Sequence, residues 1–481
     1  MAAIVLATLN ARYTHASLGL RYLRANLGAH RDACVLREFT IKRPVGEVAG
    51  ELLQLEPRMV GLGVYIWNTT QTLALVRELK ARKPGLLIVL GGPEISYETE
   101  SQDLTSLADF VFQGEADFTF RDFVAAYLER GELPAAKIVK PALPEIRELI
   151  MPYGEYSAED IAHRTLYVEA SRGCPYKCEY CLSSLDVSVR SFPIDLFLLE
   201  MDALIARGAR QFKFVDRTFN LSPSTSRKIL EFFYERIHHG LFLHFEMVPD
   251  RLPDDLKLMI RKFPPGSLQF EIGVQTWNPS VARNVSRRQN YEKIVENFRF
   301  LREETGVHTH ADLIVGLPGE TWESFKAGFN ALYALGPDEI QVGVLKRLKG
   351  TPVVRHDREF QMVYALKPPF AIQCNRDLKP KDIRNLTIFA EFWDLIANSG
   401  RFPGLHRLVA QDPFDFFYAM AHAMYAEFQR THSIHLRELE WAVRNYLRSE
   451  GLDEELAHAG APVHAANGVP ERQMRHLHTN V

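Results

Sequence analysis

The chain is poor in cysteine. Cys34, Cys174, Cys178, Cys181 and Cys374 are the five in 481 residues, an odd and sparse set that excludes a disulfide framework. An excess of charge of one sign is also lacking: Lys+Arg number 57 against 60 Asp+Glu, for a net charge of −3. That balance gives no overall basic footprint, so no nucleic-acid partner is expected. No apolar run reaches the roughly 18 residues of a membrane-spanning helix, and no membrane partner is expected. The opening MAAIVLATLNARYTH is only briefly apolar and has no basic n-region, so it is not expected to be a secretory signal. The remaining composition is ordinary and globular, which excludes disorder as the main state. At about 150 residues per domain, the length suggests three domains.

What is present is a long alternation of short apolar runs with helical patterns. AIVLAT (3–8), ACVLREF (33–39), MVGLGVY (59–65), LLIVLG (86–91) and DFVF (109–112) read as parallel strands. Helices are expected at Ser17–Leu27, Pro44–Leu55, Thr69–Arg82, Ile95–Leu107 and Ala116–Arg130. Five such units predict a doubly wound, Rossmann-like α/β domain over residues 1–130, with its ligand beyond the carboxyl ends of the strands. Residues 131–160 hold Pro134, Pro141, Pro144 and Pro152 and read as a linker. Six further strands follow: TLYVEA (165–170), QFKFVD (211–216), LFLHFEM (241–247), LQFEIGV (268–274), THADLIVG (309–316) and EIQVGVL (339–345). Six successive βα units predict a partial (β/α)6 barrel over 161–374, two units short of a closed one. Residues 375–457 read as a helical C-terminal region, with helices at Ile383–Asn398, Pro413–Thr431 and Ile434–Ser449. The tail 458–481 lacks periodicity and reads as disordered. The aromatics Phe414, Phe416, Phe417, Tyr418 and Trp441 stand at near-helical spacing, as core residues do.

Three of the five cysteines fall within eight residues, in Ser171-Arg172-Gly173-Cys174-Pro175-Tyr176-Lys177-Cys178-Glu179-Tyr180-Cys181. The spacing is C-x3-C-x2-C, directly after the first strand of the barrel, where barrel active sites sit. Three thiolates from one loop suit three irons of a cubane cluster and leave the fourth open. A structural zinc site closes with four ligands, and the nearest histidine, His163, lies before the strand.

This segment resembles the radical S-adenosylmethionine (SAM) superfamily. The resemblance implies a 4Fe–4S cluster on Cys174, Cys178 and Cys181, with SAM chelating the open iron and cleaved by one electron to a 5′-deoxyadenosyl radical. It puts Tyr180 near the adenine. Asp312-Leu313-Ile314-Val315-Gly316-Leu317-Pro318-Gly319-Glu320 is similar to the fifth-strand motif that contacts adenine, which makes Gly316, Leu317 and Pro318 candidates. Phe270-Glu271-Ile272-Gly273-Val274-Gln275-Thr276 is similar to the fourth-strand segment of oxygen-independent coproporphyrinogen oxidase and methylthiotransferase relatives, and it offers Glu271 and Gln275. Where many members carry Gly-Gly-Glu against the methionine amine, this chain has Asp216-Arg217, so Asp216 is expected there.

A doubly wound domain before such a barrel resembles the cobalamin-dependent radical SAM class with a B12-binding domain. The C-terminal helices resemble the uncharacterised extension of some members and suggest a substrate-side cap. The resemblance implies cobalamin contacts from Asn10, Arg12, Tyr13, Thr14 and His15, from Tyr65, Trp67 and Asn68, from Gly91, Gly92 and Glu94, and from Gly114 and Glu115. The D-x-H-x-x-G motif is absent, since His15 precedes Gly19 by one residue too many. A base-off corrin without a histidine ligand is therefore implied. The expected activity is cobalamin-dependent methylation of an unactivated carbon or phosphorus. A non-methylating rearrangement or cyclisation, and a non-catalytic iron–sulfur and cobalamin protein, are the alternatives. A reductant such as flavodoxin or ferredoxin, an unidentified substrate and a cytoplasmic location complete the expectation.

Overall fold

The computed structural model describes residues 3–409 and 412–452; the tail at 458–481 lies outside the described residues. The N-terminal sheet is parallel throughout, with strands β1 (Ile4–Asn10), β2 (Cys34–Thr40), β3 (Met59–Gly63), β4 (Leu87–Gly91), β5 (Phe110–Phe112) and β6 (Ile138–Val139) in the order β2-β1-β3-β4-β5-β6. Its helices are α1 (Leu18–Ala25), α2 (Val45–Gln54), α3 (Thr69–Arg82), α4 (Asp103–Leu107) and α5 (Asp117–Arg130). In α3 the buried residues are Thr72, Leu75, Val76 and Leu79, one face of a 3.6-residue repeat. With α2 they cover one side of the sheet, while Leu20 of α1 and Phe120 and Phe123 of α5 cover the other. The switch point, where β1 has neighbours running in opposite sequence directions, falls between β1 and β3.

Two details depart from expectation. Strand β6 pairs with β5 inside the stretch read as a linker. A two-residue edge strand between prolines is too short to leave a periodic signal. The helix expected at Ile95–Leu107 is confined to α4. Residues before it form an irregular turn held by Gln102 Nε2, which donates to the Glu94 and Tyr97 carbonyls at 2.9 Å each.

The six expected barrel strands are all present: Leu166–Val168, Gln211–Phe214, Phe242–Met247, Leu268–Gln275, His308–Val315 and Glu339–Val344. They pair in sequence order, all parallel, and the first and sixth stand at opposite edges. The barrel is therefore open on one side. Asp412 caps the helix Pro413–Phe428 by accepting from the Asp415 N–H at 3.0 Å, with Pro413 at its first position, where a missing N–H costs nothing. Phe414, Phe417, Met420 and Met424 bury its inner face. The Phe414 ring lies 4.8 Å from Phe389 and 5.8 Å from Phe329, so these aromatics are core, and truncating Phe414 to Ala would cost about 3–5 kcal/mol. Trp441, by contrast, is 60% exposed. Trp393 Nε1 donates to the Ile340 carbonyl at 2.6 Å and fixes the helical region to the outer wall of the barrel. Among the described residues no helix is long and apolar enough to cross a membrane.

Candidate functional site: a cysteine loop between two cavities

The cysteine loop is pinched at its base. Ser171-Arg172 pairs antiparallel with Arg190-Ser191, and the Cys174 N–H donates to Asp186 O at 3.1 Å. Gly173 has φ +91°, and a Cβ there would stand 1.8 Å from Ser188 O, so only glycine fits. All three cysteines are free, Cys174 and Cys178 buried and Cys181 half-buried. Burial first, then the neighbouring sulfurs, push the Cys174 thiol up; bound iron removes that proton, because the thiolate is the ligand. The three cysteines line one cavity of about 200 Å³. Among the described residues no three Cys, His, Asp or Glu groups converge on a single-ion site. The thiols surround a space rather than a point, which suits a polynuclear cluster.

That cavity continues into a second of about 310 Å³, the two sharing Tyr180, Arg217, Glu246, Glu271, Gln275 and Asp312. The walls are charged. Burial would raise the Glu271 carboxyl, but Lys213 at 3.4 Å and His244 Nε2 at 3.0 Å outweigh it and hold it well below the usual range. Burial and the charge of Lys213 hold His244 at about 4. Burial and the carboxylates Glu271 and Glu246 push Asp312 well up. Arg217 donates to Glu246 at 2.9 Å. Arg287 donates to the Gly273 carbonyl, and its Nη1 lies 3.5 Å from Cys178 Sγ and 3.4 Å from Tyr180 Oη. Gln275 sits at a β-bulge with φ +70°, a strained conformation that non-glycine residues keep mainly at functional sites.

The N-terminal domain holds a larger cavity of about 470 Å³ between the sheet and α1 and α5. Gly61, Gly63, Gly91 and Gly92 form its floor, and Leu6, Leu20, Leu23, Val89, Phe112 and Phe120 its sides. Arg172, Leu182 and Asp186 of the cysteine loop also line it. Arg172 is held by Glu169 and Glu115, at 2.8 and 2.7 Å. Arg190, on the other strand of the hairpin, also binds Glu115. One carboxylate of the N-terminal domain thus grips both strands at the base of the cysteine loop.

The expected site residues divide accordingly. Tyr180, Glu271 and Gln275 line the barrel cavities. Asp216 does not: it is buried, and its carboxylate accepts from the Ala170 N–H at 2.9 Å and the Ser171 hydroxyl at 2.6 Å. Burial pushes it up to about 7 against those two hydrogen bonds. Gly316, Leu317 and Pro318 form a turn packed on Ile372 and Asn284, and it is Asp312, Leu313 and Ile314 of the same motif that line the cavity. In the N-terminal domain Tyr65, Gly91, Gly92, Gly114 and Glu115 line the large cavity.

Asn10, Arg12, Tyr13, Thr14 and His15 lie outside that lining and form the seam between the domains. Thr14 O accepts from the Thr165 N–H at 3.0 Å, Tyr13 donates to Glu159 at 2.6 Å, and His15 Nδ1 is 2.5 Å from Tyr167 Oη. Burial, then Lys213 and Arg12, hold His15 at about 4. Trp67 stacks on Tyr65 at 4.4 Å. Asn68 Nδ2 donates to the Leu9 and Gly63 carbonyls at 3.1 and 3.0 Å, and Glu94 pairs with Lys349 at 2.7 Å. Among the described residues the C-terminal helices contribute none to these three cavities.

Sequence reasoning missed Lys213, Arg217, His244, Glu246, Arg287, His310 and Asp312. For the strand residues a signal existed. Polar residues recur at every second position of otherwise apolar runs (His244 and Glu246, Gln269 and Glu271, His310 and Asp312), the mark of a sheet face turned to a polar interior.

Comparison with known proteins accords with this geometry. The B12 binding domain family matches residues 4–124 and the radical SAM superfamily matches residues 168–331. An uncharacterized methyltransferase of Pyrococcus horikoshii, PH0819, is 20% identical over 358 residues, covering 69% of this chain and 76% of that one. The cobalamin-dependent radical SAM methyltransferase TokK of Streptomyces tokunonensis is 23% identical over 328 residues, covering 62% of this chain and 47% of that one. The chain thus spans about half the length of TokK. The structure of the cobalamin-dependent S-adenosylmethionine radical enzyme OxsB, with aqua-cobalamin and S-adenosylmethionine bound, superposes with a TM-score of 0.64 at 13% identity. It covers 98% of this chain and 77% of that one, a likeness of fold. The chain carries a B12 binding domain followed by a radical SAM domain. The residues present fit a 4Fe–4S cluster, SAM and cobalamin: three free thiols around one space, charged walls beside it, and an apolar slot floored by glycines.

Proposed function

We infer that the chain is a cobalamin-dependent radical SAM methyltransferase acting on an unactivated carbon or phosphorus. One observation carries the reading: the loop bearing Cys174, Cys178 and Cys181 also supplies Arg172, Leu182 and Asp186 to the wall of the N-terminal cavity. A methyl group passed between SAM and cobalt needs its two carriers within reach of one another, and a shared loop provides that. When bound, the cluster supplies one-electron cleavage of SAM, and cobalamin carries the methyl group.

The chain's own residues bind and orient. Cys174, Cys178 and Cys181 hold iron as thiolates. Arg217 and Arg287 are the cations beside them and suit the SAM carboxylate. Glu271, ionised between Lys213 and His244, accepts hydrogen bonds from hydroxyl or ammonium groups. Gln275, aimed inward by the bulge, does the same with its amide. The apolar slot of the N-terminal domain, lined by Gly91 and Gly92, would hold cobalamin. A reductant such as flavodoxin or ferredoxin delivers the electron, in the cytoplasm. Reconstituted protein with methyl-deuterated SAM and extract of the source cell should give a product heavier by one labelled methyl group. Formation of 5′-deoxyadenosine with no labelled product would overturn methylation and leave a radical reaction of another kind.

A further inference from the structure

Between the second and third cysteines stands a carboxylate that the proposed chemistry does not use. Glu179 is 2% exposed. Its N–H donates to Val285 O at 3.1 Å, and its carbonyl accepts from the Val353 N–H at 3.0 Å. Its carboxylate accepts from the Ser286 hydroxyl and the Arg355 guanidinium, and lies 2.8 Å from His356 Nε2. A carboxylate this buried is costly unless paired and hydrogen-bonded, and here three donors from two other segments satisfy it. Ser286 follows the helix Pro279–Asn284, while Arg355 and His356 belong to the turn Pro352–His356 beyond the sixth barrel strand. The approach to that turn is itself tied to the N-terminal domain by Arg347–Glu98 at 3.0 Å and Lys349–Glu94 at 2.7 Å.

We propose that Glu179 is a positioning residue for the iron–sulfur cluster: gripped by Ser286, Arg355 and His356, it fixes the backbone between Cys178 and Cys181 and balances the charge beside the cluster. This rests on those cysteines holding the cluster. Fixed charges and hydrogen bonds around a cluster set its reduction potential, and groups that orient ligands govern how tightly the metal is held. Glu179→Gln leaves Arg355 without its counter-charge and favours the more negative, reduced cluster. Arg355→Gln leaves the carboxylate unbalanced and does the opposite. A residue that merely filled space would loosen the loop in both variants and shift both potentials the same way.

The test is an anaerobic redox titration of the reconstituted full chain, followed by electron paramagnetic resonance, together with the rate of iron release to a chelator. We expect a more positive potential for Glu179→Gln, a more negative one for Arg355→Gln, and iron release about tenfold faster in Glu179→Ala. Wild-type potentials in both Gln variants, or shifts of one sign in both, would overturn the proposal. Should the Glu179 variants not fold, Arg355→Gln decides alone, since that side chain is 59% exposed; an unchanged potential there overturns it. A wild-type chain that takes up no cluster would overturn the cysteine assignment itself, a separate and distinguishable failure.

Discussion

The two ends of this site are built by opposite means. The N-terminal cavity is apolar and shaped by missing side chains, with a floor of Gly61, Gly63, Gly91 and Gly92 against walls of Leu, Val and Phe. The two adjoining barrel cavities are crowded with charge, with Arg217, Arg287, Glu246, Glu271 and Asp312 in their walls and Lys213 paired to Glu271. The first selects by space, so its discrimination follows from area and volume. The second selects by compensated charges, each costly to leave unpaired. The cysteine loop belongs to both, and Glu115 holds its base through Arg172 and Arg190.

The largest effect is expected from removing the thiols. Replacing Cys174, Cys178 or Cys181 with Ala should abolish 5′-deoxyadenosine formation, a fall of more than about a thousandfold, while cobalamin uptake persists; Cys34→Ala and Cys374→Ala should keep full iron content. On the apolar side, Gly91→Phe should fill the slot and reduce cobalamin binding by at least about a hundredfold in equilibrium dialysis, with the cluster spectrum unchanged. Gly91 suits this test because a Cβ there meets nothing nearer than Phe112 O at 3.9 Å, whereas one on Gly92 would lie 2.5 Å from Val64 O and disturb the backbone. On the charged side, Glu271→Gln should weaken SAM binding by roughly ten- to a hundredfold, as loss of a hydrogen bond to a charged group does. Calorimetry on the cluster-loaded protein reads it out.

Two smaller effects concern the supports of the loop. Asp216 is raised to about 7 from its usual value near 3.8. A carboxyl raised on folding contributes stability that is complete below pH 4 and is lost as pH rises towards 7. Asp216→Asn should therefore stabilise the protein at pH 8, by at most about 4 kcal/mol, and have little effect at pH 4, as denaturant melts at the two pH values would show. Glu115 is partly exposed, so Glu115→Gln should cost only about 1 kcal/mol, seen as a drop in melting temperature of a few degrees that high salt diminishes.

The contrast between the cavities also explains what the sequence disclosed. The cysteine spacing is local, so Cys174, Cys178 and Cys181 were legible without a fold. So were five of the six N-terminal strands and all six barrel strands, because apolar runs and helical periods repeat; β6, two residues long, left no such signal. The apolar slot was half legible. Gly91, Gly92 and Gly114 marked it, but Leu6, Leu20 and Phe120 look like ordinary core in a linear reading, and the interdomain contacts of the polar stretch Asn10–His15 depend on the fold. The hydrogen bonds by which Asn10, Asn68 and Asp216 satisfy buried backbone groups were likewise out of reach of a linear reading. Arg287 was hidden for a different reason. It follows a short helix after the fourth barrel strand, and only the fold brings it 3.5 Å from Cys178.

Metal analysis after reconstitution measures directly whether one chain holds two cofactors across a shared loop. Anaerobic loading of wild type and Gly91→Phe with iron, sulfide and cobalamin, followed by removal of excess, should leave about four irons and about one cobalt per wild-type chain. Gly91→Phe should keep the iron and lose the cobalt. Cobalt absent from the wild type, or retained in full by Gly91→Phe, would contradict the account.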